Sequence, residues 1–286
     1  MTKILVPIDF SENSLNALEF GIQIANKLNA ELKILHVKTK KIAYRYSKTE
    51  SELILSDNVA EWLHEIVEKN KEKYTVPGGR FDYKVREGNI IKEVTNQAKY
   101  DDTTLIVIGT HGASGFEDKW IGSNAYRLVH SATVPVLTIR PERKWRSINN
   151  IVLPISINRS SRQKVPAVVG LAKLFNAKIY VVGIKEPGYS LLRSRVSGFV
   201  KQTVRFINKN TELRVESIVL SGKSKAELLL EYIDKVDADV IATNILQTAN
   251  PFENLIKPFA NQLINESRCP VLAVPTKESL YLQSKY

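Results

Sequence analysis

The sequence predicts an α/β protein made of two tandem copies of one domain, each with a parallel sheet covered by helices on both faces. Two observations support this prediction: an internal repeat and a regular alternation of apolar runs with helical segments. Near-continuous apolar strands separated by helices are typical of buried parallel sheets, and right-handed crossovers then favour a doubly wound order.

The repeat is visible without gaps in two blocks. Residues 4–37 align with 151–184 at an offset of 147, and 120–140 align with 255–275 at an offset of 135. The first block shares proline, asparagine and alanine positions, and the second shares a Pro-Val-Leu triplet. At 286 residues the chain is long enough for each copy to bury its own core. We therefore predict domains at 1–143 and 148–276, followed by a C-terminal tail at 277–286.

The elements of the first copy follow the order β-α-β-α-β-α-β-α-β. Strands are short β-branched apolar runs such as "KILVPI", whereas helices repeat apolar residues every three or four positions, as in "SLNALEFGIQIANKL". The strands are predicted at 3–8, 30–37, 80–85, 104–109 and 134–140, and the helices at 14–28, 58–74, 89–100 and 123–130. Residues 38–51 are left open as a mobile loop over the site or a helix extension.

Composition excludes several classes of protein. No stretch approaches the roughly 20 apolar residues of a membrane span, and the first residues do not resemble a signal peptide, so we expect a soluble cytoplasmic protein without a membrane partner. The single cysteine, Cys269, lies in the apolar segment "CPVLAVP" and is expected to be a buried structural thiol. We find no Ser-His-Asp order and no Cys/His metal spacing, so no catalytic residue and no enzymatic role is predicted.

The net charge of +11 is concentrated in the second half of the chain. Residues 1–147 hold 22 Lys and Arg against 19 Asp and Glu, whereas residues 148–286 hold 19 against 11. The charges are scattered and no nucleic-acid motif accompanies them, so we do not expect nucleic acid as a partner. The densest cluster lies in a predicted amphipathic helix, where a solvated face is the simpler interpretation: Arg193, Arg195, Lys201, Arg205 and Lys209.

The loop after the fourth strand of the first copy has the features of an anion site. Gly109 ends the strand and Gly112 follows, where glycine permits sharp turns and close approach of a ligand to the backbone. Gly122 and Ser123 fall at the start of the next helix, whose free N–H groups and dipole favour a phosphate. In doubly wound sheets the ligand lies at this carboxyl edge. Ordinary turn chemistry is an alternative explanation for these glycines.

Asp9 follows the first strand and ends at the same edge. A carboxylate there suits a ribose hydroxyl or a divalent cation. With Ser11 it is equally suited to capping the first helix. His111 lies in the glycine loop, where it either contacts a phosphate or faces solvent.

These residues resemble the universal stress protein family in its tandem, two-domain form. The pattern Gly109-x2-Gly112-x9-Gly122-Ser123, preceded by "LIVIG", followed by "SATVPVLTIR" and combined with "ILVPIDFSENS", is similar to that of the ATP-binding branch. The resemblance covers nearly the whole chain and is weakest over 40–80 and 185–215. It implies two Rossmann-like domains of the adenine nucleotide alpha hydrolase type, each with a five-stranded parallel sheet.

The resemblance also implies a ligand and its contacts. The expected ligand is ATP, or AMP or ADP, with Mg²⁺ reached through Asp9. Adenine would lie near Pro7, Ile8 and Val37, and the ribose and phosphates would be cradled by the loop residues Gly109, Thr110, His111, Gly112, Gly122, Ser123 and Asn124. Family dimers form through the last strand, so a tandem chain would pair 134–140 with 269–275 internally. A homodimer of tandem chains is also compatible with this arrangement.

The second copy lacks every anchor of the motif. Ser156, Asn244, Gln247, Lys257 and Pro258 stand where the first copy has Asp9, Gly109, Gly112, Gly122 and Ser123. Because the apolar pattern is retained, we expect this copy to fold and to serve as a structural or partner-binding domain without holding ATP in the family's way. A weak ATPase, and a scaffold whose basic C-terminal half binds anions, remain as alternatives.

Overall fold

The protein is described here from a computed structural model. The structure describes residues 2–39, 44–45, 53–54, 58–112, 121–185, 190–222, 224–247 and 258–277. The chain divides into two compact units, Met1–Trp145 and Arg146–Tyr286. Each unit has its own sheet and core, and the α/β fold with parallel sheets and flanking helices is confirmed.

The first unit has a five-stranded parallel sheet in the order β7-β6-β1-β2-β5. Its strands are β1 (Lys3–Pro7), β2 (Glu31–Lys38), β5 (Phe81–Glu87), β6 (Leu105–Gly109) and β7 (Val136–Ile139). Its helices are α1 (Glu12–Leu28), α2 (Val59–Asn70), α3 (Ile90–Tyr100) and α4 (Ser123–Ser131), and a 3₁₀ turn at Lys71–Lys73 follows α2.

Strand β1 lies at the centre of the first sheet because its side chains are apolar on both faces. Ile4, Leu5 and Val6 are fully buried, and Ile4 is in register with Leu32 of β2 and Leu105 of β6. Such continuous burial is expected when helices cover both faces of a parallel sheet. The strand therefore ends, at Pro7, in the middle of the carboxyl edge.

The second unit repeats this plan with the order β12-β11-β8-β9-β10. Its strands are β8 (Asn150–Ile155), β9 (Lys178–Lys185), β10 (Val215–Ser221), β11 (Val240–Gln247) and β12 (Val271–Lys277). Its helices are α5 (Val165–Phe175), α6 (Ser190–Asn210), α7 (Lys225–Lys235) and α8 (Pro258–Glu266), and a 3₁₀ turn at Arg159–Arg162 precedes α5.

The first helix is shorter in the second unit, and Pro166 explains the difference. Proline has no N–H and its ring clashes with the carbonyl four residues earlier, so an α-helix does not continue through Arg162. A 3₁₀ turn occupies the positions that form the start of α1 in the first unit. The helix ends are nevertheless equivalent, since Asn29 and Asn176 close α1 and α5 in the left-handed conformation, at φ of 48° and 50°.

Arg146 fastens the beginning of the second unit. Its guanidinium forms ion pairs with Asp237, at 2.8 Å, and with Asp239. The side chain of Asp239 is only 3% exposed. Its carboxylate also accepts hydrogen bonds from the backbone N–H groups of Asn149 and Asn150, at 2.8 and 2.9 Å. Because a buried carboxylate needs such partners, this cluster fixes the approach to β8.

Two further expectations from the sequence concern the stretch at 38–51 and Cys269. Within the stretch at 38–51, β3 (Tyr44–Arg45) pairs antiparallel with β4 (Leu53–Ile54). Residues 40–43 and 46–51 lie outside the described ones, so the two interpretations of this stretch stay predictions. Cys269 is buried as expected. Within the described ranges, no helix has the length and apolar character needed to span a membrane.

Candidate functional site

A cleft of about 440 Å³ opens at the carboxyl edge of the first unit's sheet. The ends of β1, β2 and β6 and the beginning of α4 form its walls. All eleven residues named from the sequence line this one cleft: Pro7, Ile8, Asp9, Val37, Gly109, Thr110, His111, Gly112, Gly122, Ser123 and Asn124. Residues up to 117 positions apart in the chain are therefore brought together as the doubly wound order requires.

Gly109 is required by a protein contact inside the fold. A Cβ atom there would lie 2.7 Å from the Nδ2 atom of Asn13 and 2.9 Å from its backbone oxygen, closer than side chains pack. The freed space allows Asn13 Nδ2 to donate to the carbonyl oxygen of His111, at 3.2 Å. Gly109 thus lets α1 approach the strand end and hold the following loop.

Gly112 lies directly against Asp9. A Cβ atom at Gly112 would be 2.6 Å from Asp9 Oδ2. The other oxygen, Oδ1, accepts the N–H of Ser11 at 3.1 Å and its hydroxyl at 2.6 Å, and Ser11 Oγ in turn accepts the N–H of Ser14 and caps α1. The two interpretations of Asp9 are therefore compatible: one oxygen supports the helix cap, while the carboxylate also lines the cleft.

Gly122 places the start of α4 against the loop. Its N–H donates to the carbonyl oxygen of Thr110 at 2.7 Å, and a Cβ atom would lie 3.2 Å from that same oxygen. Gly122 is the N-cap of α4 and contributes no side-chain cap, while Ser123 and Asn124 are exposed. The first turn of a nine-residue helix therefore presents backbone donors to the cleft.

Thr110 and His111 orient each other. The Thr110 hydroxyl forms a hydrogen bond with His111 Nδ1 at 2.8 Å and lies 3.3 Å from the carbonyl oxygen of Ile139. Thr110 is 1% exposed and His111 is half-buried. The imidazole is held by this hydrogen bond at the wall of the cleft and does not project freely into solvent.

His36 lines the cleft and was not identified as a site residue from the sequence. It is 2% exposed, and its Nδ1–H donates to the carbonyl oxygen of Ile8 at 2.7 Å, which ties the end of β2 to the end of β1. Burial lowers the pKa of His36, and the hydrogen bond to Ile8 and the charge of Asp9 oppose this effect only in part. The ring is therefore neutral at neutral pH. In the sequence, the feature that could have identified His36 as a site residue is its position next to Val37 at the predicted end of a strand.

Phe10 completes the floor between these strands in an unusual backbone conformation. Its φ of 63° is in the left-handed region, which is costly for a bulky residue. The side chain is fully buried, with its ring centre 4.9 Å from that of His36 and 5.5 Å from that of Trp62. Packing of the Phe10 ring stabilises the turn that places Asp9 at the cleft.

Metal binding has limited support from the protein side. Within the described residues no three His, Cys, Asp or Glu side chains converge on a point. Asp9 is the one carboxylate in the described lining of this cleft. Of the residues described around this cleft, a cation would find one protein carboxylate, and its remaining ligands would come from outside that described lining.

The second unit has a cleft of about 640 Å³ at the equivalent edge, with different chemistry. Asn244 aligns with Gly109, and its side-chain amide donates to the carbonyl oxygen of Ser160 at 2.9 Å. Ser160 in turn aligns with Asn13, which donates to the carbonyl oxygen of His111 in the first unit. Both units therefore use a side-chain amide to connect these two regions, with the donor on opposite sides. Lys257 lies outside the described residues.

Comparison with known proteins gives consistent matches. Residues 1–140 match the sequence model of the "Universal stress protein family". Universal stress protein YxiE from Bacillus subtilis is 32% identical over 145 residues, which are 48% of this chain and 98% of that protein. Universal stress protein MJ0531 from Methanocaldococcus jannaschii is 30% identical over 142 residues, 50% of this chain and 84% of that protein.

A solved structure matches over both units. The crystal structure of a universal stress protein from Archaeoglobus fulgidus covers 96% of this chain and 98% of its own, with a TM-score of 0.69 and 19% identity. At this identity the likeness concerns the fold.

Proposed function

Since this chain belongs to the universal stress protein family, we propose that its first unit binds an adenine nucleotide and that its second unit does not. The single observation that carries the proposal is the cleft of the first unit, where the ends of β1, β2 and β6 meet the backbone donors at the start of α4. ATP is the preferred ligand, and AMP and ADP share the chemistry that the cleft would recognise.

The two ends of the cleft fit the two ends of a nucleotide. Pro7, Ile8 and Val37 form an apolar wall suited to the face of an adenine ring. The start of α4, with Gly122 and Ser123, offers backbone and hydroxyl donors suited to phosphate oxygens. Asp9 lies between them, where a carboxylate accepts a ribose hydroxyl or holds Mg²⁺.

Nucleotide binding and release, rather than chemistry, is the activity proposed. The cleft has no pair of carboxylates in its described lining, and His111 is engaged with Thr110. In this proposal the ligand acts as a structural or signalling group, and the second unit contributes a scaffold or a partner surface.

Calorimetric titration of the whole chain with ATP and Mg²⁺ tests the proposal. We expect one site per chain, which is lost in Gly122→Lys because this change imposes the second copy's residue and fills the space 3.2 Å from the Thr110 carbonyl. Gly170→Lys is the matched control, since a Cβ atom at Gly170 meets nothing within 4 Å.

Two sites per chain would contradict the assignment of a silent second unit. Absence of binding, or equal binding by Gly122→Lys and the parent chain, would contradict the nucleotide site itself. Phosphate release measured in the same samples gives the rate of any hydrolysis.

A further inference from the structure

The second unit buries a lysine at its cleft that the proposed nucleotide function does not use. Lys164 is 2% exposed and is among the residues that line the cleft. Its Nζ donates to the carbonyl oxygen of Ser161 at 2.9 Å and to Asn244 Oδ1 at 2.6 Å. Both acceptors are neutral, and in the described part of the chain no carboxylate forms an ion pair with this amine.

The amine retains capacity for one more partner. A protonated lysine has three N–H donors, and the two acceptors named above use two of them. A buried cation without a counter-charge is costly, and the cost falls when an anion completes its surroundings. The site is therefore incomplete in a way that a negatively charged ligand would correct.

Lys164 and Asn244 form a paired replacement of the first unit's residues. They align with Ala17 and Gly109, which have small or no side chains, and the side-chain oxygen of Asn244, within β11, accepts a hydrogen bond from the Lys164 amine. The change that removed the glycine thus also supplied the group that positions a charge. Simple drift of a packing position would not require the two changes together.

The rest of the described lining has the character of an organic anion site. Its titratable side chains are Lys164 and Lys225, with no Asp or Glu among them, and Lys225 also begins α7. Ile157 lines the same cleft and is 43% exposed, whereas Phe10, at the equivalent position of the first unit, is fully buried. Positive charge and an uncovered apolar surface therefore lie side by side.

We propose that the second unit binds a small organic carboxylate, with its charged end on Lys164 and its apolar body over Ile157. One remaining donor on a single buried ammonium fits one carboxylate better than a phosphate dianion. Burial lowers the pKa of Lys164 to about 7, so binding of an anion restores the charge and takes up a proton near neutral pH.

Fluorine NMR with two probes of the same shape tests this site in the whole chain. At pH 7, 4-fluorobenzoate is expected to bind at least about tenfold more tightly than the neutral 4-fluorobenzamide, as a charge-assisted contact implies. Lys164→Met is expected to remove this preference and to leave amide binding unchanged. Lys173→Met, which removes an exposed lysine of α5, is the matched control.

Several results would overturn the proposal. Equal affinity for the two probes, or no binding of either, would leave only an apolar cleft. A benzoate preference that survives in Lys164→Met and disappears in Lys225→Met would show that Lys225, and not Lys164, binds the carboxylate. Displacement of benzoate by an equal concentration of inorganic phosphate would identify a phosphate site instead.

A second measurement requires no variant. Calorimetry of the parent chain with 4-fluorobenzoate at pH 8, in two buffers of different ionisation enthalpy, is expected to report net proton uptake. No uptake would contradict the role of Lys164 as the group that receives the charge. Neither result depends on whether the first unit binds a nucleotide.

Discussion

Replacement of Lys164 by methionine is expected to change how the stability of the second unit depends on pH. Methionine has a similar unbranched shape and carries no charge. Burial lowers the pKa of Lys164 from 10.5 to about 7 in the folded chain. Between these two values the unfolded state binds more protons than the folded state, so the free energy of unfolding rises with pH. Below pH 7 the amine is protonated in both states and contributes no further slope.

The size of the effect follows from the two pKa values. In the window between them, each pH unit adds about 1.4 kcal/mol to the free energy of unfolding of the parent chain, relative to the variant. Between pH 6 and pH 9 the expected relative gain is about 3 kcal/mol, since the slope develops only gradually around pH 7. Other titrating groups cancel in the comparison of the two chains.

Urea denaturation followed by far-UV circular dichroism at pH 6, 7, 8 and 9 measures this difference. The three tryptophans, at 62, 120 and 145, all lie in the first unit, so their fluorescence reports that unit separately and is expected to be the same in both chains. The exposed Lys173→Met variant should follow the parent at every pH. A difference between parent and Lys164→Met that stays constant across the range would refute the reasoning, because it would mean that the amine titrates normally.

Three further substitutions test contacts described above, each against a control. Arg146→Gln is expected to destabilise the second unit by about 1–3 kcal/mol, because it takes a hydrogen-bonding cation away from the buried carboxylate of Asp239. Arg268→Gln, at an exposed ion pair with an N–O distance of 3.8 Å, should cost less than about 0.5 kcal/mol. Equal effects in urea melts would contradict a stabilising role of the buried pair. Phe10→Ala should cost about 3–4 kcal/mol, and the half-exposed Phe206→Ala far less, in the same melts; a small loss at Phe10 would show that strain relief outweighs packing. Gly109→Ala should lower the free energy of unfolding of the first unit by about 1–3 kcal/mol through overpacking, whereas Gly170→Ala, where a Cβ atom meets nothing within 4 Å, should not destabilise the second unit. An unchanged melt of Gly109→Ala would mean that α1 moves aside at no energetic cost.

The fold could be predicted from the sequence because both of its signals are local. Apolar strands such as β1 and the helical periodicity of α1 determine the alternation, and the crossover rule then leaves few orders of strands. The equivalent ends at Asn29 and Asn176 follow from the repeat itself. The antiparallel pair β3 and β4 was not predicted, because two-residue strands have no periodicity to detect.

The candidate site was predictable where glycines mark close approach, and less so where polar groups depend on distant partners. Gly112 and Gly122 indicate the loop by themselves, but the contact of Gly109 with Asn13 depends on a residue 96 positions away. His36 and Lys164 are hidden for the same reason. Each lies in or beside an apolar segment, and only the fold shows which atoms accept its protons.

The hydrogen bonds of Asn244 make the divergence of the two copies difficult to reverse. Restoring glycine at this position would remove one of the two acceptors of Lys164 and leave the Ser160 carbonyl without its amide donor. Restoring alanine at Lys164 first would instead leave Asn244 Oδ1 without its donor. Each single change towards the first copy's residues leaves a half-buried polar group without its hydrogen-bond partner, so we expect the effects of the two changes on the free energy of unfolding to be non-additive.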